Sequence, residues 1–319
     1  MRRALALAAL LAAFGVPLAY AQEATETSPP PLIPDGVTIA GVSVGGLTAG
    51  EARAEVRAFF ARPVTFTFRG RTKTSTPWWV GASAGVESAI ATALAAVPGQ
   101  AVALSVRFDR TRLRAYVARL ARAWYRPPVN SRARLTYLRP TITRARVGYR
   151  LRQYPTRTLI RTAFAAHERG PIATPYRVLQ PRITRSNFGP VIVIRRASHR
   201  LFLYKGSRYW TTFGVAVGMS QYPTPLGSFH IATKQRNPWW YPPSAAWAAG
   251  ASPIPPGPGN PLGTRWMGLS RGGVGIHGTP DSASIGYSAS HGCIRMRIPE
   301  AEWLFERVYV RTPVFIVSA

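Results

Sequence analysis

Ser290-His291-Gly292-Cys293-Ile294-Arg295-Met296, with His277-Gly278-Thr279 a short way before it, is the stretch from which this chain is best read. It holds the single cysteine of 319 residues and two of the five histidines, one of them two positions ahead of that cysteine. A thiol attacks as its thiolate, which requires a base, and the oxyanion that follows attack on a carbonyl requires N–H donors. Cys293 is therefore the candidate nucleophile. His277 is the preferred base: it follows Val274-Gly275-Ile276, which reads as the end of a buried strand, and Gly278 behind it permits close backbone approach. His291 is the rival base, because two steps along an extended chain return to the same face; it suits equally well ordering the loop or lining a donor pocket. Gly292 permits a tight turn that aims its own N–H and that of Cys293 at one spot, a candidate oxyanion hole. Arg295 can hold a carboxylate in a bidentate fork, and Ser290 can hydrogen-bond the loop or a substrate. The plainer reading of a lone cysteine is a small apolar filler. The adjacent glycine and the histidine two residues back argue against it.

Around this stretch, the region from about Gly189 reads as strand-rich. Val191 to Arg195 and Leu201 to Tyr204 flank a turn at Ala197-Ser198, and Tyr209 to Val217, Phe229 to Thr233, Trp266 to Leu269 and Val314 to Val317 complete a sheet set. One helix stands out. Pro299 suits its first turn, Glu300 and Glu302 suit its positive end, and Trp303, Leu304 and Val308 form its core face. Between Lys234 and Gly263 lies a run with eight prolines and Trp239, Trp240 and Trp247. A loop this long inside a compact domain is functional or disordered; aromatics stiffened by proline suggest a wall or lid over a cleft.

Residues 36–185 read as a mixed α+β domain. Val37 to Val44 is strand-like, and Thr48-Ala49-Gly50-Glu51 has the capping-box spacing for a helix running to about Ala61. Val64 to Phe68 and Thr72 to Thr76 straddle Arg69-Gly70-Arg71 as a hairpin. Helices are expected from Val86 to Ala96, from Thr111 to Trp124 before Pro127-Pro128, and from Thr156 to Glu168.

The N-terminus carries an export signature. Arg2 and Arg3 precede an Ala/Leu-rich run from Ala4 to Leu18, and Ala19-Tyr20-Ala21 supplies a small-x-small cleavage pattern, so residues 1–21 read as a signal peptide cut after Ala21. Retention as an uncleaved membrane anchor is the alternative. Residues 22–35 form a Pro-, Ser- and Thr-rich linker. Location in the periplasm or cell wall follows, and there an unpaired thiol calls for explanation. The formal net charge is +29, almost all of it from arginine. Nucleic acid would be the expected partner in a cytosolic protein. For an exported chain the available polyanions are anionic wall polymers and lipid head groups. Arginine enrichment from a biased genome accounts for part of this charge, since the residues are scattered.

Two further patterns carry no function. Gly273-Val274-Gly275-Ile276-His277-Gly278 satisfies the G-x-G-x-x-G string, but Thr279-Pro280-Asp281 follows as a turn where a dinucleotide site needs a helix. His277, His291 and Cys293 lack zinc spacing and a fourth ligand, so no metal is expected.

The histidine and cysteine segments closely resemble the signature of L,D-transpeptidases of the YkuD type. Tyr222-Pro223-Thr224-Pro225-Leu226-Gly227-Ser228-Phe229 and Pro256-Gly257-Pro258-Gly259-Asn260-Pro261-Leu262-Gly263 add to the likeness, which covers residues 189–319. Gly41 to Thr48 with Glu51-Ala52 resembles the peptidoglycan-binding domain often found ahead of such enzymes. The resemblance implies a mostly β, sandwich-like catalytic domain behind the α+β domain. It implies attack by Cys293 on the third residue of a peptidoglycan stem tetrapeptide, release of D-alanine, and transfer to a diamino-acid amine to give a 3→3 cross-link. It further implies His277 as base with its tautomer held by the Gly278 carbonyl, an oxyanion hole at Gly292 and Cys293, and substrate contacts from Ser290, His291, Arg295 and Trp266. No cofactor is needed, and carbapenem-type β-lactams are expected to acylate the thiol. An L,D-carboxypeptidase or cross-link hydrolase on the same fold, a non-enzymatic wall-binding protein, and a polyanion binder are the alternatives.

Overall fold

The computed structural model describes residues 30–319. The signal peptide and most of the linker lie outside the described residues. The chain divides into two compact units. One comprises residues up to Thr65, Lys73–Leu113 and Arg161–Pro171; the other comprises Phe66–Thr72, Arg114–Ile160 and Ile172–Ala319. No helix among the described residues is long and apolar enough to cross a membrane.

Helix α1 (Ala49–Ala61) starts at the expected capping box: the Thr48 side chain accepts from the Glu51 N–H, and Glu51 accepts from the Thr48 N–H at 2.9 Å. Such a cap contributes about 1 kcal/mol. Its buried face, Ala52, Val56 and Phe60, follows the helical spacing. Arg53 and Arg57 on α1 both pair with Glu87 on α2 (Val86–Leu94). These exposed pairs contribute little to stability. Helices α3 (Arg110–Trp124) and α4 (Gln153–Ala165) follow along the chain.

The boundaries differ from the expected ones in several places; the strand expected over Phe229 to Thr233, for example, extends to Gly227–Arg236. The strand expected over Val37 to Val44 is two short pieces, Thr38–Ile39 and Val42–Ser43, separated by Ala40 and Gly41 at positive φ. Helix α2 ends at Leu94, short of Ala96. Helix α4 begins three residues before Thr156, since Pro155 fits a first turn where its missing N–H is not needed, and ends at Ala165. Tyr209 to Val217 is not one strand. It runs Arg208–Gly214 and then leaves the sheet, and Val217–Gly218 pairs with Ser288–Ser290 instead.

In the larger unit, eight strands form one sheet: β1 (Pro190–Arg195), β2 (Arg200–Lys205), β3 (Arg208–Gly214), β4 (Gly227–Arg236), β5 (Arg265–Leu269), β6 (Gly275–Thr279), β7 (Ile294–Arg297) and β8 (Pro313–Val317). The spatial order is β3-β2-β1-β8-β4-β5-β6-β7. Pairs β1–β8 and β6–β7 are parallel and the others antiparallel. Strand β1 is buried on both faces, which explains its unbroken Val-Ile-Val-Ile run. Ile192 and Ile194 join a core with Leu201, Met267, Ile276, Ile294 and Leu304. Val191 and Val193 face the other way, onto Phe315 and Ile142. The cover on that second face comes from a hairpin, Ala133–Thr136 with Arg139–Ile142, which the sequence reading does not anticipate. Burying each such Ile or Leu contributes about 1.5–3 kcal/mol. Helix α5 (Ile298–Phe305) has Pro299 in its first turn and buries Ala301, Leu304 and Phe305. Trp303 is partly buried against the core, and Val308 is buried just beyond the helix. Lys234 closes this C-terminal end by donating to the Phe305 and Val308 carbonyls at 2.6 and 2.7 Å. A cation there meets the negative end of the helix.

Candidate active site

Strand register brings the histidine and the thiol to one face. Ile276 pairs with Ile294 and His277 with Arg295 in the parallel β6–β7 ladder. Side chains alternate along a strand. Ile276, Ile294 and Met296 therefore enter the core, where all three are fully buried. Gly275, His277, Arg295 and Cys293, which immediately precedes β7, take the opposite face. His277 thus sits in the middle of β6, not past the end of a strand. The G-x-G-x-x-G string runs into this strand and opens no helix.

This face forms the floor of a cleft of about 570 Å³, lined by Cys293, His277, Arg295, Trp266, His291 and Ser290 together with aromatics of the proline-rich run. The His277 ring is buried, and its Nδ1 lies 2.6 Å from the Gly278 carbonyl oxygen. That oxygen can only accept, so Nδ1 carries the hydrogen and Nε2 is left as the basic nitrogen. Burial, opposed by this hydrogen bond and reinforced by the Arg295 charge, lowers the His277 pKa to about 4. Burial likewise pushes the Cys293 thiol up, against a backbone hydrogen bond from Gly275 and the charge of Arg295. The resting pair is accordingly a neutral thiol and a neutral imidazole. The thiol donates to the Gly273 carbonyl at a sulfur–oxygen distance of 3.6 Å.

Trp266 pairs directly with His277 across β5–β6, with ring centroids 5.8 Å apart. Gly275 makes room for it: a Cβ there would lie 2.4 Å from the Trp266 ring. His291 stacks on Trp247 with centroids 3.9 Å apart and planes 14° from parallel, and lies 5.1 Å from the Tyr222 ring. Burial first, then Arg295, lowers its pKa. Its ring partners are these aromatics. Arg295 approaches Asp281 at 3.6 Å. Ser290 is buried and serves the loop: its hydroxyl donates to the Cys293 carbonyl at 2.6 Å and accepts from the Gly292 N–H at 3.2 Å. The Gly292 N–H, one of the two expected oxyanion donors, is thus engaged by Ser290.

Two residues that the sequence reading assigns no role hold this arrangement. Thr224 is fully buried; its hydroxyl accepts from the Gly218 N–H at 2.8 Å and donates to the Gly292 carbonyl at 3.0 Å. Thr224→Val keeps the shape and removes both bonds, so about 2 kcal/mol of stability should be lost. A thermal midpoint equal to that of the wild type would show that these two bonds contribute nothing to stability. Asn260, also buried, donates from Nδ2 to the carbonyls of Pro238, Ile254 and Pro255 and accepts from the Leu262 N–H. It gathers the proline-rich run around one amide. Asn260→Asp would set a carboxylate oxygen against three carbonyl oxygens, and proteolysis within residues 238–256 should accelerate roughly tenfold or more. Unchanged cleavage rates would rule out this organising role. An asparagine set among prolines and glycines was the available signal in the sequence, but its partners are up to 22 positions away.

Comparison with known proteins bears directly on this site. Residues 189–316 match the family model described as "L,D-transpeptidase catalytic domain", and residues 80–173 match one described as "Putative peptidoglycan binding domain". The chain is 33% identical over 134 residues to "Putative L,D-transpeptidase YqjB" of Bacillus subtilis, covering 40% of this chain and 72% of that protein. It is 36% identical over 105 residues to "Putative L,D-transpeptidase YkuD" of the same organism, 33% of this chain and 52% of that one. It is 34% identical over 136 residues to "Probable L,D-transpeptidase YbiS" of Escherichia coli, 40% of this chain and 44% of that one. Among solved structures, an L,D-transpeptidase from Mycobacterium smegmatis aligns over 67% of this chain and 90% of its own, at 14% identity and a TM-score of 0.38. With an α+β region ahead of a β-rich domain that carries the histidine and cysteine on one sheet face, the chain belongs to the YkuD family of L,D-transpeptidases.

Proposed function

We propose that the chain forms 3→3 peptidoglycan cross-links through a Cys293 acyl-enzyme. The observation that carries this reading is the tautomer of His277. With Nδ1–H tied to the Gly278 carbonyl, Nε2 is free to take a proton on the sheet face that also bears Cys293. Nε2 accepts the thiol proton as sulfur attacks the carbonyl of the third residue of a stem tetrapeptide. The oxyanion is met by the N–H groups of Cys293 and Gly292, the latter exchanging its Ser290 partner for the substrate. The tetrahedral adduct collapses, the imidazolium gives its proton to the departing D-alanine amine, and a thioester remains. The side-chain amine of a neighbouring stem then attacks, gives up a proton to His277, and releases the thiol. No cofactor takes part. Arg295, His291 and Trp266 line the donor site.

In this reading residues 189–319 are the catalytic domain and residues 36–185 hold it on the polymer. Export by the signal peptide and attraction of a basic chain to anionic wall polymers bring the two together. A carbapenem would be trapped as a stable acyl-thiol.

Incubation with purified disaccharide-tetrapeptide tests the chemistry. Intact-protein mass spectrometry should show addition of the donor less D-alanine, confined to Cys293, and product analysis should show cross-linked dimers. Trimmed tripeptides without dimers would make the chain a carboxypeptidase. Turnover without a protein adduct would overturn the covalent route.

A further inference from the structure

A second cleft, remote in sequence from the cysteine, lies within the smaller unit. It has a volume of about 480 Å³ and is lined by Phe60, Pro77, Trp78 and Val86, with Arg57 among its borders. The four-residue helical turn Pro77–Val80 ends in Gly81 at φ 84°. A Cβ at Gly81 would lie 2.8 Å from the Arg112 Cβ and 3.2 Å from the Asp109 carbonyl. Only a glycine there permits both the left-handed turn and the close approach to the start of α3. The approach sets the Arg112 guanidinium 4.2 Å from the Trp78 ring centre. Trp78 and Trp79 stand edge to face, 4.9 Å apart, and each remains 57% exposed.

Two adjacent tryptophans this open to water need a reason, because burying one aromatic ring removes 150 Å² or more of surface from solvent. Pyranose rings present flat faces of C–H groups that pack on indole. The Arg112 guanidinium lies over one face of the indole, so a sugar would pack on the other, and no acidic side chain pairs with Arg112 among the described residues, which leaves its N–H groups available to a carboxylate. We propose that the Trp78 cleft binds a carboxylate-bearing amino-sugar strand, with a sugar face on Trp78 and a carboxylate on Arg112. The inference rests on the reading that this region binds peptidoglycan, and it names the site.

The full chain carrying Cys293→Ala, so that nothing is consumed, is compared with the same chain also carrying Trp78→Ala, Trp78→Phe or Arg112→Gln. The probes are purified sacculi, soluble glycan strands stripped of their stem peptides so that each lactyl carboxylate is free and the catalytic cleft has no donor to hold, and uncharged chitotetraose. Trp78→Ala should weaken binding of the stripped strands and chitotetraose about tenfold or more, with Trp78→Phe between. Arg112→Gln should weaken the stripped strands and spare chitotetraose. Far-ultraviolet circular dichroism and the thermal midpoint verify that each variant folds. If the parent binds sacculi and Trp78→Ala binds them equally, the cleft is not the site and the region's binding role stands. If the parent binds no probe, the binding role fails and the site falls with it. Binding that survives Trp78→Ala yet vanishes in moderate salt would assign retention to the arginines alone, again overturning the cleft.

Discussion

Cys293→Ala should abolish cross-linking, lowering kcat by about 10³-fold or more while leaving donor affinity nearly intact. The asymmetry follows from what the sulfur does. Its contacts in the resting site are with the backbone at Gly273 and Gly275, not with the donor, so its removal costs little binding. In the proposed route it supplies the whole covalent path, so its removal would leave only orientation and oxyanion stabilisation, and the effect of losing a nucleophile is of this order or larger. Cys293→Ser should be almost as inactive, because an imidazole whose pKa is held at about 4 is a weak base for a hydroxyl, which is far less acidic than a thiol. Rates of D-alanine release and isothermal titration with the tetrapeptide give the two numbers. Dimers formed by the alanine variant would remove cysteine from the mechanism.

The second large effect concerns His277. His277→Gln should lower kcat/KM by about 10²–10⁴-fold, the usual worth of a positioned general base. Its pH signature is sharper than its size. Protonation of Nε2 blocks proton acceptance, and burial holds that event down to a pKa of about 4. The wild-type acid limb should therefore lie near pH 4, well below the ordinary histidine range. The same burial affects stability. Above pH 6.5 the ring is neutral whether the chain is folded or not. As the pH falls from 6.5 to 4, the unfolded chain takes up a proton that the folded chain refuses, so the folded state loses up to about 3 kcal/mol over that interval. His277→Gln should flatten that part of the pH–stability curve. An acid limb at pH 6.5 would show that a different group is the base, and His291, stacked on Trp247, would be the one to test.

Much of the candidate site was legible in the sequence because the chemistry proposed for it is local. A lone thiol, a nearby histidine and flanking glycines mark Cys293 and His277 as candidates with no knowledge of topology, and the Thr48–Glu51 cap is readable from four residues. The supporting contacts were harder to read. Thr224 reaches 68 positions along the chain to Gly292. The hairpin at 133–142 is arginine-rich and interrupted by Pro140, so its alternation is weak, and it becomes a strand pair by covering Val191 and Val193. The break after Gly214 is equally invisible locally, since Val215-Ala216-Val217 has strand composition but finds its partners at Tyr287, Ser288 and Arg295. Gly275 reads in the sequence only as part of the strand end before His277; its role depends on the Trp266 indole lying against it.

The elevated thiol pKa has a consequence beyond catalysis. Peroxides oxidise thiolates far faster than thiols. A sulfur that stays protonated until a substrate draws its proton to Nε2 is poorly reactive toward oxidants while idle. Sulfenic acid should accumulate slowly on the resting protein, so the site's low acidity at rest doubles as chemical durability for a residue with no second cysteine to rescue it.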